Sequence, residues 1–101
     1  MITLEALRSF AKANDGRIFP TVGGQAKFML IVHDDGLEFV PLSTRRGRIQ
    51  KNDMIRRIID YYNQTESLRP GDYQSFTVNA SYTLALIQQT LAAAQKSAQN
   101  A

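Results

Sequence analysis

The chain has no cysteine and one histidine. The first absence excludes a disulfide, a thiolate nucleophile and any cysteine zinc site, and it suits a reducing cytoplasm. Long apolar runs are missing too. The longest, Phe28 to Val32, is far too short to span a bilayer, so no membrane association is expected. Met1 to Phe10 carry no apolar run behind a positive start, so no signal peptide is expected either. The segment Gly23-Gly24-Gln25-Ala26-Lys27 lacks the glycine spacing and the following hydroxyl of a nucleotide-binding loop, and there is no Gly-x-Ser-x-Gly elbow. His33 has only Asp34 and Asp35 beside it, at a turn where both acids face water. One histidine and two acids do not complete a metal site. Glu38, Asp34 or Asp35 and Lys27 lack a nuclease-like spacing. The chain is expected to be no enzyme and to hold no cofactor and no metal.

What is present is enough for one folded domain. The chain has 101 residues, of which 44% are hydrophobic, a composition that argues against wholesale disorder. Thr3 is placed to cap a helix over residues 4–13, with Leu4, Leu7, Phe10 and Ala11 on one face. Gly16 suits a left-handed helix end. Three strands follow, over 17–22, 26–33 and 37–42. Pro20 puts the first at an edge, and the apolar centre of the second predicts burial on both faces. Asp35-Gly36 predicts a hairpin turn with positive φ angles. A polar loop over 43–50 leads to a second helix over 53–63, capped by Asn52, with Met54, Ile55, Ile58, Ile59 and Tyr62 as its apolar stripe. Residues 63–78 form a long connection with a type II turn at Pro70-Gly71, pinned by Leu68, Tyr73 and Phe76. A third helix spans 80–94. Its two apolar faces, Leu84 with Ile87 and Tyr82 with Leu86, mark it as central, the second face packing on the first helix or on a symmetry mate. The expectation is a single α+β domain over 1–94, in the order α-β-β-β-α-α, a three-stranded antiparallel meander packed by helices. Residues 95–101 are expected to form a frayed polar tail. The expected core is Leu7, Phe10, Phe28, Leu30, Val32, Phe39, Ile55, Ile58, Leu84, Ile87 and Leu91.

Charge is the feature that points at a partner. Six of the 12 Lys and Arg residues fall within residues 45–57: Arg45, Arg46, Arg48, Lys51, Arg56 and Arg57. Only Asp53 opposes them there, although the whole chain carries a net charge of just +3. A basic loop running into a helix N-terminus is suited to phosphate, because guanidinium groups and free N–H groups both favour an anion. The expected function is therefore a non-enzymatic nucleic-acid- or phosphate-binding accessory protein, with DNA or RNA as partner and those six cations as contacts. The opposing reading has Asp53 pair with Arg57 and Arg56 with Asp60, each at helical spacing, leaving a solvated basic loop. Tyr61, Tyr62, Tyr73 and Phe76 lie near Arg residues and resemble a base-stacking set, yet their spacing fits core packing better. A protein-interaction module, or a homodimeric adaptor with no nucleic-acid role, is the alternative function.

The stretches Leu68-Arg69-Pro70-Gly71-Asp72-Tyr73, Asn79-Ala80-Ser81-Tyr82 and Asp35-Gly36-Leu37-Glu38-Phe39 resemble small bacterial proteins with no assigned activity. That resemblance implies a bacterial, cytoplasmic origin and attaches no fold, substrate or site.

Overall fold

A computed structural model describes residues 1–99, with side chains described through residue 96. The order is α1 (Leu4–Ala13), β1 (Ile18–Pro20), β2 (Lys27–His33), β3 (Gly36–Pro41), β4 (Arg48–Lys51), α2 (Asn52–Thr65), a 3-10 turn (Pro70–Tyr73) and α3 (Ala80–Gln99). The class is α+β, as the hydrophobic periodicities predict. The sheet, however, has four antiparallel strands in the order β1-β2-β3-β4. The fourth strand comes from the end of the expected basic loop. Its pattern misleads because its apolar residue, Ile49, faces solvent at 55% exposure while Gln50 is turned inward at 5%. Alternation in a half-buried strand normally runs the other way.

α1 begins where its cap predicts, with the Thr3 hydroxyl accepting the Ala6 N–H at 3.1 Å, and buries Leu7 and Ala11. Gly16 at φ +83° takes the left-handed conformation that releases the chain into β1. The β2–β3 hairpin turns through Asp34 and Asp35, with His33 opposite Gly36. None of these residues has positive φ, so the expected role of Gly36 is corrected. It stands in the strand, where a Cβ would come within 3.0 Å of the Lys51 Cα and collide with the Gln50 carbonyl oxygen. The glycine is there for close approach of β4.

Burial of β2 is also one-sided rather than two-sided. Phe28 and Leu30 are buried, whereas Met29 and Ile31 on the other face are only half-buried. All three helices pack on the Phe28 side. α3 is the central helix, with every residue from Thr83 to Ile87 buried. Tyr82 packs within the chain against the sheet, its ring stacked on Phe39 at 5.7 Å and edge-on to Phe28 at 5.3 Å. α3 continues past Ala94 to Gln99, so residues 95–99 of the expected tail lie in the helix; residues 100–101 lie outside the described residues. α2 buries Ile55, Ile58 and Ile59. Asn52 does not cap it. The residue stands inside the first turn, and its side-chain oxygen accepts Arg8 Nη1 at 3.0 Å.

The long connection is pinned as its aromatic residues predict. Tyr73 is fully buried, with Tyr61 at 4.8 Å and Phe76 at 5.9 Å between ring centroids. Pro70-Gly71 opens a 3-10 turn instead of a type II turn, since Gly71 does not take positive φ. Of the expected core, Phe10, Val32 and Leu91 are only half-buried against it, while Ile2, Leu37, Tyr73, Ala85 and Leu86 belong to its buried part.

Candidate polyanion interface

The connection from β3 to β4 is built as a tight turn. The Arg45 N–H donates to the Pro41 carbonyl at 2.8 Å, and the Arg46 N–H donates to the Thr44 hydroxyl at 3.3 Å. Arg45 sits at φ +58°, a left-handed conformation that costs a residue with a Cβ about 1–2 kcal/mol. Gly47 follows, packed so closely on the Glu38 carboxylate that a Cβ would overlap it. The result presents Arg45 and Arg46 as exposed side chains, and neither has a carboxylate within 4.0 Å among the described residues. The Leu42 N–H donates to the Lys27 carbonyl at 3.1 Å, so exposed Lys27 stands at the base of the same loop.

Of the other four cations, only Arg48 stays at this end of the sheet. Arg48, at the start of β4, donates from Nη1 to the Asn79 side-chain oxygen at 3.0 Å and lies 6.0 Å from the Tyr82 ring centroid. Its partners are neutral, so its charge is not cancelled. Lys51 ends β4 and pairs with Asp35 at 2.6 Å. Hydrogen bonding to the Lys51 ammonium, and then its charge, hold the Asp35 carboxyl below its usual range. Arg56 reaches Asp53 at 3.4 Å, and Arg57 lies over the Phe76 ring at 4.5 Å. Neither of the expected pairs, Asp53–Arg57 and Arg56–Asp60, is formed among the described residues.

β4 therefore separates what the sequence places together. The basic loop is at one end of the strand and the α2 N-terminus is at the other. The open depression at that N-terminus is lined by Asp35, Lys51, Asn52 and Asp53. Two carboxylates there already complement the helix dipole, which leaves little attraction for a phosphate.

Arg48 and Arg57 have a structural role that composition does not reveal. Together with Gln50 they hold the segment Phe76 to Asn79. The Gln50 side-chain amide donates to the Asn79 carbonyl at 3.0 Å and to the Thr77 hydroxyl at 3.4 Å, and the Thr83 hydroxyl donates to the Gln50 side-chain oxygen. Arg8 acts similarly at the hairpin end, donating to the His33 carbonyl at 2.8 Å and the Gly36 carbonyl at 3.2 Å. Lys27 is the residue that the charge count misses, because it lies outside the 45–57 window. The strand register alone brings it to the loop, and a hairpin centred on Asp34-Asp35 already implies that pairing.

His33 bonds through Nε2 to Glu38 at 2.8 Å across the outer face of the sheet, away from Asp34 and Asp35. No group of three or more His, Cys, Asp or Glu side chains is placed to hold a metal ion among the described residues. No described helix is long and apolar enough to cross a membrane. No protein-family model, curated protein or solved structure matches the chain.

Proposed function

We propose that this protein is a non-catalytic polyanion-binding protein that contacts nucleic-acid phosphates through the β3–β4 end of its sheet. The observation that carries this reading is the pair Arg45 and Arg46, exposed and with no carboxylate within 4.0 Å among the described residues, the Glu38 carboxylate beside Gly47 being bonded to His33. Lys27 and Arg48 extend the same positive end. A guanidinium held on a turn can meet phosphate with two parallel hydrogen bonds. The left-handed backbone of Arg45 adds support, since glycine fits that position at lower cost. Such contacts set position and read no sequence, so affinity is expected to vary little with sequence.

The test is fluorescence anisotropy with a labelled oligonucleotide across a salt series. Arg45→Ala with Arg46→Ala is expected to reduce the slope of log K against log salt by about 2, near 0.9 for each phosphate no longer neutralised. Arg56→Ala with Arg57→Ala is expected to leave that slope almost unchanged. Affinity that is insensitive to salt, or to the Arg45 and Arg46 changes, ends this reading.

A second reading, a protein-interaction module, is favoured by the bare face of the sheet. Ile18, Met29 and Val40 are adjacent across three strands, and Ile31, Glu38 and Ile49 form the next row. Ile18 is 51% and Ile49 is 55% exposed. Lys27 stands at one end of this face, while Lys51 at the other end is paired with Asp35 and Glu38 lies between, so little net charge opposes a second copy. Light scattering that finds only monomer would contradict a homodimer.

A further inference from the structure

We infer that the polyanion is a double helix rather than a single strand, an inference that rests on the proposed phosphate-binding function and names the ligand class of the same site. The chain has five Phe, four Tyr and no Trp. Phe28, Phe39 and Tyr73 are fully buried, and the other six rings pack against the core. None of them is an exposed ring. Proteins that hold single strands rely on aromatic platforms beside the cations, because unpaired bases need a surface to stack on. The ring under Arg48 is Tyr82, and its surroundings occupy it. Phe39 stacks on it with an interplanar angle of 16°, Phe28 meets it edge-on, and the Arg48 guanidinium lies over it. That leaves no exposed aromatic platform beside the loop.

What remains at the loop is charge and hydrogen-bond donors. Those groups favour the ligand with the highest phosphate density. A duplex presents one charge per about 1.7 Å of axis, and each phosphate neutralised contributes more to its salt dependence, about 0.9 against about 0.7 for a single strand. With Lys27, Arg45 and Arg46 each on one phosphate, the slopes expected are about −2.7 for a duplex and about −2.1 for a single strand. Duplex DNA and duplex RNA share this chemistry.

The experiment compares three labelled probes of mixed sequence on the full chain at the same salt. They are a DNA duplex and an RNA duplex of about 20 base pairs, and a DNA strand of about 40 nucleotides chosen for equal phosphate number. At least one duplex is expected to bind about fourfold or more tighter than the single strand near 0.1 M salt, with the steeper slope. The two duplex arms distinguish DNA from RNA. Single-strand binding as tight as both duplexes overturns the inference while leaving the polyanion reading in place. Binding of none of the three removes that reading and this inference with it. Circular dichroism of the Arg45→Ala, Arg46→Ala variant shows whether any weakening comes from the missing cations or from a disrupted fold.

Discussion

Arg45→Gly separates the cost of holding an arginine on this turn from what the arginine does there. Arg45 occupies φ +58°, and its N–H is retained by Pro41 at 2.8 Å. A residue with a Cβ pays about 1–2 kcal/mol for the left-handed region. Glycine removes that strain but gives back about 0.5–1 kcal/mol through the larger entropy of the unfolded chain. The net expectation is a gain of about 0–1.5 kcal/mol. For a domain of this size the middle of that range raises Tm by about 3–6 °C. The side chain is exposed and makes no acid pair among the described residues, so removing it sacrifices no offsetting interaction. Binding is expected to move the other way, with the salt slope shrinking by about 0.9 as one phosphate goes unpaired. Arg45→Lys keeps both the charge and the strain, so it should leave Tm and slope near their starting values. The assays are a thermal melt by circular dichroism and oligonucleotide titration at several salt concentrations. A lower Tm for Arg45→Gly would refute the strain argument, and an unchanged slope would refute the assignment of Arg45 as a phosphate ligand.

Gly36→Ala drives a Cβ into the Gln50 backbone and should cost about 1–3 kcal/mol in urea denaturation. Gly47→Ala meets only the movable Glu38 side chain, so it should cost less and displace Glu38 from His33, visible in the His33 ring NMR signals. Gln50→Leu strands the buried Thr83 hydroxyl at a cost of about 1–3 kcal/mol, and adding Thr83→Val should recover most of it in a double-mutant cycle. Burial pushes the Tyr73 phenol up to about 12 from 10.0. The unfolded chain therefore releases this proton first, and stability should fall as pH rises from about 10 towards 12. A Tyr73→Phe variant with the same alkaline loss would remove Tyr73 as its cause.

The helices were legible because their signals are local. Thr3 and the spacing of Leu7 and Ala11 define α1, and Ile55, Ile58 and Ile59 define one face of α2. The aromatic residues of the long connection were legible for a similar reason, since a polar segment has few other uses for Tyr73. β4 was hidden because its inward residue is polar. Gln50 is accepted in the interior only through Thr83, Thr77 and Asn79, partners 27 to 33 positions away. No local pattern encodes such a match.

The α+β class, the extent of α1, the centrality of α3 and the density of positive charge in residues 45–57 are all written in the order of the residues. Each follows from periodicity, caps or composition, which act over a few residues. Which of those charges remain available is settled by the folded chain. Pairing of β4 with β3 carried the loop to one end of a strand and the helix start to the other, and it set Lys51 against Asp35. It also gave Arg48 to Asn79, while the pairing of β2 with β3 brought Lys27 to the loop. Electrostatic availability depends on distances between residues far apart in the chain, and only the folded backbone sets those distances.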